Sequence, residues 1–107
     1  MEFFKQAEVR TQDLGGGISR KIYGTDDNIM MVIVEFEKGA VGSRHSHRHS
    51  QVTYVQKGTF EVSIGDKTEV LKAGDGFYAS PDKEHGVVAL EEGALIDVFS
   101  PMREDFI

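Results

Sequence analysis

Short apolar or alternating runs, separated by glycine-containing turns, fill most of the chain. Residues 30–36 form a continuous apolar run of strand length, which is typical of a strand buried on both faces. Further strand-like runs lie at residues 18–23, 51–56, 59–64, 68–71, 76–78, 85–89 and 94–99. The triple glycine at residues 15–17 predicts a turn in front of the first run. Short strands at this spacing predict an all-β sandwich or barrel.

Strand parity predicts which side chains share a face, because successive side chains point to opposite sides of a strand. If Gln51 points inward, so do Thr53 and Val55. In the last strand Asp97 has the parity of Phe99, so its carboxylate lies among apolar neighbours. A buried carboxylate in that position is the best acid/base candidate, although a salt bridge would also explain it. Arg20 and Arg103 are the two predicted partners for such a bridge.

Length, charge and composition narrow the classes of function. The 107 residues predict one domain over residues 1–107. With 18 acidic against 12 basic side chains, the net charge is −6, which disfavours nucleic acid as a partner. No apolar run is long enough for a signal peptide or a membrane span, so we expect a cytoplasmic protein without membrane contact. The sequence has no cysteine, so no thiolate can bind a metal.

The most informative segment is residues 39–58, GAVGSRHSHRHSQVTYVQKG. His45 and His47 are separated by one residue, so on an extended chain both imidazoles point to the same face and can bind one metal ion. An exposed polar loop is the alternative interpretation. His49 shares the parity of the other two histidines and is a possible replacement ligand, while Gln51 and the distant His85 are additional candidates.

This segment resembles the first cupin motif, with Gln51 in place of the usual glutamate, and residues 74–85 resemble the second motif in part. The resemblance implies a cupin-type double-stranded β-helix, or jelly roll. It also implies that one divalent transition metal is bound by His45, His47, Gln51 and His85. Nickel, zinc, iron, manganese and cobalt are not distinguished by these ligands.

A site built from four neutral ligands retains the full charge of the metal. Replacing glutamate by Gln51 makes the site more positive by one unit. At an effective dielectric constant of about 20, a unit charge about 4 Å away contributes roughly 4 kcal/mol. The substitution therefore favours an anionic substrate or intermediate.

Three features resemble one narrower family, the small KdgF-type cupins: the chain length, the motif H-S-H-x-H-x-Q at residues 45–51, and the ending LIDVFSPMREDF at residues 95–106. The resemblance implies an enzyme that opens and ketonises 4,5-unsaturated monouronates from pectin or alginate lyase digestion, giving linear keto-deoxyuronates. It places Asp97, Phe99 and Arg103 at the substrate. Arg48 stands where this family is expected to carry proline.

Other interpretations of the same residues stay open at this point. Cupins with similar motifs include dioxygenases, and a cupin can also bind a sugar acid without catalysis. Phe99 can be plain core, and Arg103 can be a surface side chain. Because nearly every strand is apolar on both faces, we expect a second subunit to cover part of the outer surface, as in a homodimer.

Overall fold

The computed structural model describes residues 2–107 and is built almost entirely from β-strands. Ten strands are present in this range, with short 3-10 helices at Gln6–Glu8 and Glu104–Phe106. The strands are β1 (Gln12–Gly15), β2 (Ile18–Thr25), β3 (Met30–Phe36), β4 (Val41–His45), β5 (Ser50–Lys57), β6 (Thr59–Ile64), β7 (Lys67–Lys72), β8 (Gly76–Ala79), β9 (His85–Ala89) and β10 (Gly93–Ser100). No helix within residues 2–107 has the length and apolarity that crossing a membrane requires.

The strands form two antiparallel sheets. One has six strands in the order β1-β2-β3-β10-β5-β8, and the other has four in the order β4-β9-β6-β7. The chain changes sheet between β3 and β4, and the last strand returns to lie between β3 and β5. This is the jelly-roll arrangement, so the predicted all-β fold is confirmed.

The triple glycine forms the turn between β1 and β2, as the sequence predicted. Gly15, Gly16 and Gly17 have φ values of 78°, 61° and 83°, a region that side chains other than glycine rarely adopt. β1 itself was not predicted, because Leu14 is its only large apolar residue and its side chains show no alternation. It pairs only with β2, at the edge of the six-stranded sheet.

Inward side chains of β5 and β10 change from polar to apolar along the strands. Register pairs Thr53 with Asp97 and Val55 with Leu95, and all four of these side chains are buried. The apolar core includes Phe36 and Phe60, whose rings pack edge to face with centroids 5.2 Å apart. Polar groups are therefore collected at one end of a sandwich whose other end is filled by the core.

Candidate active site

Three histidines from separate segments converge at the polar end of the sandwich. His45 ends β4, His85 begins β9, and the two residues are paired across these strands. His47 lies two residues beyond the end of β4, so the two residues of the H-x-H motif do not share one strand. The ring centroids are nevertheless 5.5 Å apart for His45 and His47, 4.6 Å for His45 and His85, and 4.9 Å for His47 and His85.

Main-chain carbonyl groups fix the orientation of each of the three imidazole rings. Each Nδ1 lies 2.9–3.0 Å from a carbonyl oxygen two residues away. A carbonyl oxygen only accepts, so each Nδ1 carries the proton and each Nε2 keeps its lone pair. The pairs are His45 with Ser43, His47 with His49 and His85 with Lys83.

These residues fit a divalent metal ion. One nitrogen from each of the three histidines lies within 4.8 Å of the other two, close enough for all three to serve one ion. His85 Nε2 is buried and has no hydrogen-bond partner among the described residues. A buried nitrogen without a partner is costly, and a metal would satisfy it. Three imidazole nitrogens oriented by their Nδ1–H groups are a typical donor set for zinc, nickel or iron.

Burial keeps two of these rings neutral. It lowers the pKa of His47 and of His85, and in both cases it outweighs the hydrogen bond that opposes the shift. The positive charge of Arg103 lowers both pKa values further. An imidazole must be unprotonated to bind a metal, so both shifts favour metal binding at neutral pH.

Gln51 lies beside the histidines and connects them to Asp97. Its Nε2 donates to Thr53 Oγ1 at 2.9 Å and to Asp97 Oδ1 at 3.3 Å, which fixes the orientation of the amide. Its Oε1 therefore faces His47 Nε2, at 3.0 Å. In neutral His47, Nε2 and Gln51 Oε1 face each other with lone pairs, which is unfavourable. A cation bound by both atoms would remove this repulsion. Gln51 Oε1 thus lies beside the candidate ligand His47, and ligation by Gln51 stays a prediction.

Asp97 is buried beside this group. Thr53 Oγ1 donates to its Oδ1 at 2.6 Å, and Gln51 donates to the same oxygen. Burial raises the pKa of Asp97 to about 6, although the bond from Thr53 and the charge of Arg103 oppose the shift. The predicted alternative of a salt bridge from Asp97 to Arg20 or Arg103 does not hold, because no ion pair within residues 2–107 involves Asp97.

Arg103 and Phe99 complete the predicted group. Arg103 is buried, and its guanidinium carbon lies 5.1 Å from the centre of the Phe99 ring. Phe99 is also buried, with its ring centroid 5.7 Å from that of His47. Because Phe99 is packed against both a candidate ligand and the arginine, it forms a wall of the site as well as part of the core.

A cavity of about 180 Å³ lies between the two sheets, and six of the candidate residues line it: His45, Gln51, His85, Asp97, Phe99 and Arg103. Sites for drug-sized ligands usually measure roughly 300–1,000 Å³, so this cavity suits a ligand as small as one sugar ring. Three larger pockets, of about 580, 510 and 340 Å³, lie elsewhere and contain none of the candidate site residues.

The family model of the cupin domain matches residues 32–99, which is more than half of the chain. The chain belongs to the cupin family. The pectin degradation protein KdgF of Dickeya dadantii (strain 3937) is 49% identical over 107 residues, covering 98% of this cupin and 97% of that protein. The predicted similarity to KdgF proteins is therefore confirmed.

Solved structures are also similar to this chain over nearly its whole length. An RmlC-like cupin from Shewanella frigidimarina NCIMB 400 has a TM-score of 0.98 at 44% identity, with 100% of this chain and 96% of the other covered. KdgF from Halomonas sp. has a TM-score of 0.94 at 43% identity, with coverage of 98% and 97%. The whole jelly roll is thus shared with these proteins, including the segments outside residues 32–99.

His49 occupies a different position in this cupin from the other three histidines. Its Nε2 lies 3.2 Å from Glu104 Oε2, in a group with Asp105. Arg48 donates to the same oxygen of Glu104 at 3.1 Å. His49 and Arg48 therefore connect the histidine loop to the C-terminal 3-10 helix.

Sequence reasoning did not place Arg20 and Phe106 in the cavity wall, although it considered Arg20 as a salt-bridge partner of Asp97. The Arg20 guanidinium carbon lies 3.8 Å from the centre of the Phe106 ring, and that of Arg103 lies 4.3 Å from it. One signal was present in the sequence: Arg20 has the parity of its apolar neighbours Ile18 and Ile22 on β2. Phe106 lies beyond the last strand, where strand parity gives no information.

Proposed function

We propose that this cupin opens 4,5-unsaturated monouronates to linear keto-deoxyuronates in a metal-dependent reaction. Two KdgF proteins, one named for pectin degradation, are similar to it over nearly the whole chain. The cavity combines a metal-binding set, a carboxylate and two arginines, a combination suited to binding and isomerising a small sugar acid. Unsaturated uronates from pectin are the proposed substrate, and those from alginate are a second source of the same chemistry.

The position of Gln51 carries this proposal. Its Oε1 faces the histidines at 3.0 Å, and its Nε2 donates to Asp97 at 3.3 Å. A substrate oxygen held at the histidines therefore lies near the carboxylate. Proximity of an acid/base group to the polarised oxygen is the main requirement for opening a hemiacetal ring.

His45, His47, Gln51 and His85 would hold one divalent ion. When bound, the ion supplies Lewis acidity toward the substrate oxygens and stabilises the negative charge that develops on them. Four neutral ligands leave that charge uncompensated, which favours a carboxylate-bearing substrate.

The reaction is an isomerisation that needs one proton removed and one delivered. Asp97 takes the proton of the anomeric hydroxyl, C1 becomes a carbonyl carbon, and the bond from C1 to the ring oxygen breaks. The ring oxygen leaves as the enol oxygen on C5. Asp97 then supplies a proton to C4, and C5 becomes a ketone. No electrons are exchanged, so the reaction needs no redox partner.

Arg103 and Phe99 orient the substrate in this scheme. The planar fork of Arg103 suits the uronate carboxylate, and the Phe99 ring packs against the sugar. Arg103 is already held in place by Asp105, so little ordering is needed on binding.

The test follows the ultraviolet absorbance of the conjugated double bond in an unsaturated monouronate. Metal-loaded protein should remove this absorbance far faster than the spontaneous reaction, and chelator-treated protein should not. Equal rates for both forms and for a protein-free control would contradict the proposal. Oxygen uptake would instead support a dioxygenase, and tight sugar-acid binding without turnover would support a binding protein.

We also propose that residues 1–107 act as one domain in a homodimer. The outer face of the six-stranded sheet carries an apolar row across four strands, in which Met31, Val98, Val52 and Tyr78 are neighbours by register. Three of these are exposed, by 38% for Met31 and 56% for both Val52 and Tyr78. An apolar patch is complementary to itself, as a two-fold interface requires. A second copy of the chain is the proposed occupant.

A further inference from the structure

Thr53 lies directly opposite Asp97 in the sheet, and the two residues are joined by a short hydrogen bond. They are register partners on β5 and β10, and Thr53 Oγ1 is 2.6 Å from Asp97 Oδ1. Thr53 is 1% exposed and is not part of the cavity wall, whereas Asp97 and Gln51 are. Any influence of Thr53 on a ligand must therefore pass through these two neighbours.

The hydroxyl of Thr53 has a fixed direction. It accepts a hydrogen bond from Gln51 Nε2 at 2.9 Å, so its own proton is directed to Asp97. Gln51 donates to the same carboxylate oxygen at 3.3 Å. Oδ1 thus has two donors, while no hydrogen bond among residues 2–107 reaches Oδ2. The two oxygens of Asp97 are not equivalent.

From this geometry we propose that Thr53 is a positioning residue, which holds Asp97 so that Oδ2 is the oxygen that exchanges protons with the substrate. The inference rests on the proposed ring-opening function. Oδ1 has its lone pairs directed to Thr53 and Gln51, so a substrate proton can reach Oδ2 more easily. Rotation of the carboxylate would break both bonds, so the orientation is kept between the two proton transfers.

Packing alone does not require threonine at this position. The next inward residue on β5, Val55, is fully buried and aliphatic, and valine has nearly the shape of threonine. Valine would fill the same space but leave Asp97 without its closest donor. Comparing Thr53→Val with Thr53→Ser therefore distinguishes the effect of the hydroxyl group from the effect of side-chain packing.

The first measurement is steady-state kinetics of metal-loaded variants on an unsaturated monouronate. Thr53→Val should lower kcat roughly 10- to 100-fold, because misplacing a reacting group by about 1 Å costs up to about 100-fold. KM should change less than about twofold, and metal content should equal that of the wild type. Thr53→Ser should recover most of kcat. Thr68→Val, at an exposed threonine on β7, is the matched control and should have no effect.

A second measurement does not depend on turnover. The protein is labelled with carbon-13 in its aspartate carboxylates, and its infrared spectrum is recorded. Subtracting the spectrum of labelled Asp97→Asn leaves the carboxylate stretching bands of Asp97. The separation of these bands should change in Thr53→Val and return in Thr53→Ser. An unchanged spectrum would contradict the hydrogen bond itself.

The outcomes separate the two proposals. If the wild type turns over the uronate and Thr53→Val keeps its kcat, the positioning role is wrong while the proposed function stands. Loss of metal in Thr53→Val would also overturn it, since Thr53 would then act by holding Gln51 at the metal. If the wild type has no activity, the proposed function is wrong and the positioning role fails with it.

Discussion

Asp105 holds the guanidinium of Arg103 through two parallel hydrogen bonds, from Nε to Oδ1 at 3.0 Å and from Nη2 to Oδ2 at 2.8 Å. This pairing lowers the pKa of Asp105, so its carboxylate is charged at neutral pH. No hydrogen bond within residues 2–107 uses Nη1 of Arg103. One edge of the fork is therefore anchored, and Nη1 is left for the carboxylate of the proposed substrate.

Replacing Asp105 by alanine should weaken substrate binding more than it slows turnover. Without its anchor, Arg103 must be ordered each time the substrate binds, so we expect KM to rise roughly 10-fold, or about 1.4 kcal/mol. Michaelis–Menten kinetics would measure the change, with Asp27→Ala in an exposed turn as the control. Equal KM values for the two variants would argue against the anchoring role.

Replacing Asp97 by asparagine should abolish turnover and leave the metal in place. Asparagine keeps the shape of aspartate but cannot accept and return a proton. Activity assays combined with elemental analysis of the purified variant would measure both properties. A variant that keeps a near wild-type rate would remove Asp97 from the mechanism.

The same substitution should stabilise the metal-free protein at neutral pH. Burial raises the pKa of Asp97 from 3.8 to about 6, so between these pH values the folded state holds a proton that the unfolded state has lost. Stability from this group therefore falls as the pH rises from about 4 to 6, by roughly 3 kcal/mol. The loss is complete about one pH unit above the folded-state pKa.

Urea unfolding of chelator-treated protein at two pH values would test this. Asp97→Asn should be more stable than the wild type at pH 7.5, and the difference should vanish near pH 4, where the wild-type carboxyl is also neutral. A constant difference at both pH values would mean that packing, and not ionisation, causes the effect.

Metal binding should depend on His85 and not on His49. His85→Ala removes a buried nitrogen from the candidate ligand set, whereas His49 lies with Glu104 and Asp105. Metal at about 100 times its Kd stabilises a protein by about 2.7 kcal/mol, so chelation should lower the Tm of the wild type and of His49→Ala but not of His85→Ala. Loss of metal from His49→Ala would restore His49 as a ligand candidate.

The apparent metal affinity should also fall as the pH is lowered. Burial lowers the pKa of His47 and of His85, so both rings stay unprotonated to a lower pH than an ordinary histidine. The apparent affinity should therefore be nearly constant above about pH 6.5 and fall at lower pH, where protons compete with the metal. Calorimetric titration with nickel or zinc at several pH values would measure it.

Strand parity predicted much of the fold and of the site. The apolar run at residues 30–36 gave β3 with its correct ends, and alternation gave β6 and placed Gln51, Thr53 and Asp97 on inward faces. These positions follow from local alternation, which is visible in the sequence.

Other features depend on contacts between distant segments, and strand parity could not predict them. The strand β4 ends at His45, and the bend at Arg48 and His49 directs His49 away from the other three histidines. The position of Phe106 depends on its packing with Arg20 and Arg103. The two-sided burial expected for β3 also does not hold in the single chain, where Met31 is 38% exposed.

The outer apolar face provides a direct test of the homodimer. Val52→Glu introduces a charge at a side chain that is 56% exposed, so it should leave the fold intact and halve the mass measured by light scattering. Val70→Glu, at a side chain 53% exposed on the other sheet, is the matched control and should remain dimeric. A wild-type protein that elutes as a monomer would contradict the proposed assembly.

The acceptors that orient the three histidine rings are main-chain carbonyls, at Ser43, His49 and Lys83. A substitution can change a side chain but cannot delete a carbonyl group. By contrast, Asp97 is oriented by the side chains of Gln51 and Thr53, each of which a single mutation can remove. Sequence drift on this scaffold should therefore preserve the orientation of the imidazole rings more readily than that of Asp97, the proposed acid/base group. One metal-binding frame can in this way support several chemistries.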